Sequence, residues 1–349
     1  MGAKPLNPLS ATVPVSLVNS LLAGAAPSEV EHLAGCAGIS HELLREPGAR
    51  LTEEQFATLY RLRAHSLEDE MPCIFSRPLR NGSLKYLGLC LLDAPRLEIA
   101  MHRFGQFLHL LIDEFSVKAR RDGNVCDVLL VAKRNAPVSR PLGRELILKL
   151  AHGLASWLIG QRIPLLGVEL DFPRPSHAGD YLYLFPGPVQ FNCSQTLMRF
   201  DAKYLDMVIR RQKSDLRTFL AHAPKDWLFE SFAEQLMCHR VRQYLSGCLP
   251  RVPTIEITAQ DLHISVRTLC RRLSAEGSTF QSVKDDLRRD LAIQRLTRSE
   301  DAIAAIAYDV GFDDPSAFHR AFRHWTGSTP HSYRKTGQGR RGSAMPLTS

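Results

Sequence analysis

Two stretches in the C-terminal third of the chain follow one pattern: RTLCRRLSAEGSTFQSV, beginning at Arg267, and SAFHRAFRHWTGSTPHSY, beginning at Ser316. The correspondence extends upstream. Ile255, Ala259, Leu262 and Ile264 stand 48 positions before Ile303, Ala307, Val310 and Phe312. Leu269, Arg271 and Leu273 stand 49 before Phe318, Arg320 and Phe322, and Gly277 stands 50 before Gly327. Two single-residue insertions in the second copy, one in the turn and one after the helix, account for the drift. Any fold for this chain must therefore present one helical unit twice, because apolar spacing, cap and helix exit are all set by neighbouring residues.

Each copy has the grammar of a helix-turn-helix. In the second, Ile303, Ile306, Ala307 and Val310 form an i, i+3, i+4, i+7 stripe. Gly311 supplies the left-handed residue that ends the helix, Phe312 plugs the angle, Asp314 caps the next helix and Pro315 fills its first position. Phe318 and Phe322 then face inward, leaving Ser316, His319, Arg320 and Arg323 outside. In the first copy Ser265 is the cap, Val266, Leu269 and Leu273 form the inner stripe, and Arg267, Thr268, Arg271 and Arg272 are left outside. Thr258 stands where the second copy has Ile306, and His263 where it has Gly311. His in a left-handed position loses a few tenths to ~1 kcal/mol relative to Gly, so the first copy is expected to be the less stable.

Basic, small and polar residues on the outer face of each second helix suit the major groove, where Arg makes bidentate contacts to guanine and Ser, Thr or His reach base edges or phosphates. The candidate DNA contacts are Arg267, Thr268, Cys270 and Arg271 on the first helix and Ser316, His319 and Arg320 on the second. Between the copies, residues 280–297 predict a helix ~27 Å long at 1.5 Å per residue, with Val283, Leu287 and Leu291 inward. It can hold the two readers one DNA turn, ~34 Å, apart. The repeated Gly-Ser-Thr is read as the exit by which each helix returns the chain to the core. Arg298, near the end of the connector, is expected to touch phosphate if DNA at all.

Residues 250–335 resemble the C-terminal DNA-binding domain of the AraC family of bacterial transcription regulators, whose signature IAAIAYDVGFDDPSAFHRAFRHWTGSTPHSYR follows closely. The upstream stretches ELILKLAHGLASWLIGQRIPLLGVELDFPRPSHAGDYLYLFPGPVQF and LMRFDAKYLD resemble the arabinose-binding-like sensor domain of one branch of that family. That branch includes regulators of amino-acid catabolism and of virulence or quorum-sensing genes, so the domain's name does not imply a sugar. The resemblance implies double-stranded DNA, read in the major groove over two adjacent turns, and RNA polymerase as partners. It also implies a small-molecule effector and a homodimer.

The rest of the chain is read as follows. Helical spacing from Leu51 to Leu67 and from Leu97 to Phe115 gives way to a hairpin at Asp122-Gly123, a helix from Gly143 to Ile159, and strands in PLLGVELDFP and VQFNCSQTLMRFD. The expected fold class is an α+β sensor domain followed by an all-α domain with two helix-turn-helix motifs joined by a connector helix. Residues 1–210 are assigned to effector sensing and dimerisation, 211–249 to a helical linker and the first helix of the DNA-binding region, 250–335 to the tandem motif and 336–349 to a disordered tail. The stretch LFESFAEQLMCHRVRQYL is expected to put Phe232, Leu236, Val241 and Leu245 on one helical face, and a fragment from near Lys225 is expected to fold and bind DNA alone, more weakly than the whole protein.

Composition matters mainly for what it excludes. The net charge is +8, but residues 251–335 hold 13 Lys and Arg against 11 Asp and Glu, so the face that carries the charge decides, not its total. The eight cysteines contain no Cys-x-x-Cys pair and are read as reduced, buried thiols without metal. VPVSLVNSLLAGAAP reads as a short amphipathic helix, not an export signal, and no uncharged stretch is long enough for a membrane span. A cytoplasmic protein without cofactor is expected. No His-Glu-x-x-His, Gly-x-Ser-x-Gly or Walker loop occurs, and the one suggestive polar pair, His177 and Asp180, is read as a loop leading into a helix. The sequence thus points to a DNA-binding regulator and not to an enzyme, and the resemblance implies an activator under effector control. The alternatives are a ligand-independent or partner-controlled repressor or regulator of virulence or quorum-sensing genes, and a DNA-repair enzyme fused to this module; the spacing of Cys36, Cys73 and Cys90 does not supply that enzyme's thiolate cluster.

Overall fold

The computed structural model describes residues 12–134, 137, 140–175, 178, 181–185, 187–229 and 236–338. Their contacts fall into two units, one comprising residues 60–233 and the other joining residues up to Leu59 with those from 234 onward. The expected edges at 210 and 249 are therefore not those of the contacts. The physical reason is a buried polar cluster between the N-terminal arm and the C-terminal helices, described below.

The 60–233 unit is an α+β layer. Its sheet runs in the order Phe115–Asp122, Val125–Ala132, Thr196–Asp201, Leu165–Glu169, Val189–Gln190, antiparallel except for the last pair. The hairpin expected at Asp122-Gly123 forms with Asp122 opposite Val125 and Gly123 at φ +55°. The helix expected at 143–159 starts at Pro141, whose missing N–H is harmless at a first position, and it is buried along nearly its whole length. The helix from Leu97 stops at Leu111, short of the expected Phe115, because Phe115 opens the edge strand. His177 and Asp180 lie outside the described residues, as does Phe232. Leu236 caps the helix Met237–Cys248 rather than lying within it.

In the other unit the strand Thr12–Pro14 pairs antiparallel with Arg50–Thr52, and between them run the helices Val15–Leu22, Pro27–Cys36 and His41–Arg45. The helix expected in VPVSLVNSLLAGAAP forms, burying Val15, Leu17, Val18, Leu21 and Leu22. The C-terminal part contains the helices Met237–Cys248, Ile255–Asp261, Val266–Ala275, Phe280–Arg298, Ile303–Asp309, Pro315–Thr326 and Pro330–Gln338. The last of these runs beyond the expected tail boundary at 336.

The thiols correct the reading of uniformly buried cysteines. Cys126 and Cys238 are buried, but Cys36, Cys73 and Cys270 are exposed. Among the described residues no helix is long and apolar enough to cross a membrane.

Candidate nucleic-acid interface

The two copies repeat each other down to the backbone hydrogen bonds. In the first turn His263 N–H donates to Gln260 O and Ile264 N–H to Ala259 O; 48 positions on, Gly311 N–H donates to Tyr308 O and Phe312 N–H to Ala307 O. His263 does adopt the left-handed conformation, at φ +55°, against +86° for Gly311. Only the second position demands glycine by space. A Cβ there would come within 2.7 Å of Pro250 O and 2.9 Å of Val252 Cγ2.

Each recognition helix is capped as expected. Ser265 Oγ accepts from Thr268 N–H at 3.2 Å, and Asp314 accepts from Ser316 and Ala317 N–H at 2.9 and 3.0 Å. The Ser316 N–H, more than the other contacts, holds the Asp314 carboxyl below the usual range, and Arg320 adds a smaller pull in the same direction. Inside, Leu269 and Leu273 are buried in the first copy. In the second, Phe318 packs against Phe312 and Phe322 at 5.6 Å each, and Phe322 meets Tyr333 edge-on at 5.2 Å.

The repeated Gly-Ser-Thr has a two-part role that the sequence reading only half supplied. Gly277 and Gly327 end their helices in left-handed conformation, at φ +73° and +71°. Thr279 and Thr329 then cap the next helix, accepting from Ser282 N–H at 3.1 Å and Ser332 N–H at 3.3 Å. The motif is helix stop and helix start together.

Of the expected contacts, Arg267, Cys270, Arg271, Ser316, His319 and Arg320 are all exposed. Thr268 is half-buried and its hydroxyl lies 2.9 Å from Ser265 Oγ, so it is partly committed to the cap. At 100° per residue Arg267 and Arg271 flank the direction opposite Leu269, as Ser316 and Arg320 do opposite Phe318. The same geometry brings Ser274 and Arg323, equivalent positions one turn further on and both exposed, onto these faces. The helical spacing contained them, and Arg323 had been placed outside without being counted among the contacts.

Arginines in this region sort into two sets. Arg288 donates to Gly311 O at 2.8 Å and stacks 4.7 Å from the Phe312 ring centroid. Arg289 pairs with Asp286 and Asp290, Arg295 with Asp309, and Arg334 donates to Ser299 O and Asp301 O. Arg298, expected to reach phosphate, instead pairs with Glu54 of the N-terminal arm. Against these, Arg267, Arg271, Arg272, Arg320 and Arg323 on the two recognition helices, and Arg240 and Arg251 off them, are exposed and hold no ion pair among the described residues. Four of these guanidiniums, Arg267 and Arg271 on one helix and Arg320 and Arg323 on the other, lie on the matched outer faces and form a cationic surface that the segment's near-balanced charge conceals.

The connector helix Phe280–Arg298 packs against Met237–Cys248, Ile303–Asp309 and Pro330–Gln338. Val283, Leu287, Leu291, Ile293 and Leu296 are buried, as is Asp290. Asp290 accepts from Thr12 Oγ1 at 2.5 Å, from Arg242 at 3.0 Å and from Arg289 at 3.1 Å. Arg50 reaches the same Thr12 through Oγ1 at 2.7 Å and its carbonyl at 2.6 Å, and donates its own N–H to Tyr333 OH at 2.9 Å. Burial opposes ionisation of Asp290, but the guanidiniums of Arg289, Arg242 and Arg50 outweigh it and hold the carboxyl below its ordinary range. Glu276, at the end of the first recognition helix, accepts from Met237 and Cys238 N–H at 2.7 and 2.9 Å and so caps the helix Met237–Cys248.

Comparison with known proteins is consistent along the chain. Residues 28–209 match the model of the N-terminal arabinose-binding domain of AraC transcription regulators, more than half of the sequence, and residues 258–336 match a helix-turn-helix domain. The chain belongs to the AraC family of transcription regulators. Among curated relatives of this AraC-family protein, the ornithine utilization regulator of Pseudomonas aeruginosa is 27% identical over 335 residues, covering 95% of this chain and 99% of the relative. The regulator VqsM of the same species is 25% identical over 205 residues, 57% of this chain and 61% of the relative. VirS of Mycobacterium tuberculosis is 37% identical over 82 residues, 24% of each. The crystal structure of the regulator CdpR from Pseudomonas aeruginosa aligns over 92% of this chain and 97% of its own at 23% identity, with a TM-score of 0.32.

Proposed function

We propose that this AraC-family regulator reads its operator with both recognition helices, Arg267, Arg271 and Ser274 on one and Ser316, Arg320 and Arg323 on the other, in two adjacent major-groove turns. The single observation that carries the reading is the sorting of arginines. Among the described residues, those on the two outer faces hold no ion pair, Arg320 only lying near enough to Asp314 to pull on its carboxyl, while Arg288, Arg289, Arg295, Arg298 and Arg334 are engaged within the unit; Arg240 and Arg251, off both helices, are exposed and unpaired as well. His319 and Cys270 stand at the edges of these faces, and Thr268 serves chiefly the cap.

In the same reading the protein is a cytoplasmic activator that works as a homodimer and contacts RNA polymerase, and the 60–233 unit receives a small-molecule effector. Family membership supports this part.

Sequencing the DNA fragments bound by the full-length protein supplies the operator, and binding curves on its single-base variants test the readout. Arg271→Ala and Arg320→Ala should each cost ~1–3 kcal/mol, roughly 5- to 150-fold, and relax preference at separate positions about 10 base pairs apart. Equal weakening of every variant by either substitution would mean that the helix grips only the backbone.

A further inference from the structure

The two turns repeat each other in backbone but not in cover. At Gly311 the direction a side chain would take is filled by the segment that leads into the first copy. A Cβ there would meet Pro250 O at 2.7 Å, Val252 Cγ2 at 2.9 Å and Arg288 Nη2 at 3.0 Å. Val310 beside it is 1% exposed. In the first turn the same direction belongs to the His263 side chain, and His263 is exposed. Leu262, the counterpart of Val310, is only half-buried, and Ile257 of the preceding helix is 48% exposed.

The joint between the two copies is thus a lead packed on a turn. Residues 250–252, just ahead of the cap Thr254, lie on the turn of the second copy. The second copy has a lead of its own, ending at the cap Ala302. Thr254 and Ala302 stand 48 positions apart, so Val252 corresponds to Glu300. Arg298 and Ser299 of this second lead are held by Glu54 and Arg334, while Glu300 and Asp301 are exposed. One chain therefore ends the series twice, with an open turn at one end and an exposed acidic lead at the other.

The operation that carries the first copy onto the second also carries the second lead onto the first turn of another molecule. The residues at the two ends suit that contact. Where the internal joint sets Val252 against a glycine, the external one sets the Glu300 carboxylate against the His263 imidazole, whose ring N–H can donate to it. Asp261, two residues before His263, is engaged by the Tyr244 hydroxyl, and the exposed Arg267 follows four residues after.

We propose that the open turn of the first copy is the docking site for the second lead of another molecule of this chain, so that molecules stand head to tail along DNA with His263 of one against Glu300 of the next. The contact is heterologous, since each molecule offers a different patch at each end. The proposal rests on the two-helix reading above, which sets the two copies one DNA turn apart. The next molecule then continues two turns on, about 21 base pairs away.

Binding curves of the full-length protein test it on one operator site, on a direct repeat of that site with centres about 21 base pairs apart, and on the same repeat at about 26. The closer repeat should be filled cooperatively, the second molecule binding roughly 5- to 150-fold tighter than to a single site. The wider one, with the second molecule turned to the opposite side of the duplex, should show no cooperativity. His263→Asp keeps a residue that tolerates left-handed backbone and faces carboxylate with carboxylate, so it should remove most of the cooperativity. Glu300→Lys should do the same, and the double variant should recover it. Each variant is scored by its ratio of tandem to single-site affinity, in which an altered grip on DNA cancels. Glu300→Lys, on an exposed residue outside the helices, carries the test if His263→Asp fails to fold. Equal cooperativity at both spacings, none at the closer one, cooperativity untouched by either substitution, or no recovery in the double variant overturns the proposal. Sequence-specific binding to the single site is read separately. Its absence removes the two-helix reading and the joint with it, whereas specific single-site binding without cooperativity removes the joint alone.

Discussion

Asp290→Ala should cost the DNA-binding unit about 3–5 kcal/mol, a large share of the stability of a domain this size. The side chain is fully buried, and its carboxylate is shared by Arg242, itself 2% exposed on its side chain, by Arg289 and by the Thr12 hydroxyl. Removing it leaves three guanidiniums converging on a site with much less negative charge, and that uncompensated charge, more than a lost contact, is the source of the magnitude. At about 2–4 °C per kcal/mol for a unit of 150–250 residues, the calorimetric transition should fall by roughly 6–20 °C. Pairing the change with Arg242→Met should recover part of the loss, since replacing a buried ion pair by apolar side chains is often near neutral, with a coupling of 0.5–3 kcal/mol. The pH dependence has a definite sign. A carboxyl whose folded pKa is depressed contributes its full stabilisation above the unfolded value of ~3.9 and loses it as the pH falls through the folded one. The gap between wild type and variant should be flat from about pH 5 to 8 and close in acid below about pH 4. A loss under about 1 kcal/mol at neutral pH would refute the view that this cluster holds the unit together.

Two further outcomes follow from the same contacts. A fragment beginning at Lys225 lacks Thr12, Arg50 and Glu54, so it should melt well below the intact unit and bind operator weakly, and restoring residues 12–59 in one chain should recover both; a fragment that melts with the full chain by circular dichroism would show the arm to be dispensable. Gly311→Ala combines left-handed strain with contacts of 2.7 and 2.9 Å and should cost ~2–4 kcal/mol in denaturant unfolding, whereas Gly277→Ala, with open space around it, should cost ~1 kcal/mol and His263→Gly should gain a few tenths to ~1. Equal costs at Gly277 and Gly311 would mean that backbone strain alone matters.

The double helix-turn-helix is legible in the sequence because its determinants are local. The caps at Ser265 and Asp314, the left-handed turns at His263 and Gly311 and the inward Leu269 and Phe318 each depend on residues within one or two turns. The helix-start role of Thr279 and Thr329 was equally local, but Ser282 and Ser332 occupy the third helical position where a capping box is usually recognised by Glu or Gln. The arginines were not legible in this way. Arg271 and Arg298 are alike in type, and what separates them is a Glu54 that lies 244 positions from Arg298. The same distance hid the address of the N-terminal arm. Periodicity showed that Val15–Leu22 would be amphipathic, but nothing in a stripe names the surface it covers. The polar tie that supplies the address, from Thr12 to Asp290, spans 278 positions.

The connector shows where duplication stops explaining the structure. By length and apolar spacing the helix Phe280–Arg298 reads as a strut, and its charged residues read as a solvated face. In the folded unit those charges are its attachments. Arg288 holds the turn of the second copy through Gly311 O and the Phe312 ring, and Arg295 holds that copy's first helix through Asp309. Asp290 takes Arg242 from the helix that Glu276 of the first copy caps, and through Thr12 it takes the arm as well. Repeated apolar positions thus determine what each recognition helix is, and unrepeated charged ones determine what it is fastened to. A regulator built this way can adjust how its two readers are held by altering contacts on a single helix, while the sequence that makes each reader stays the same.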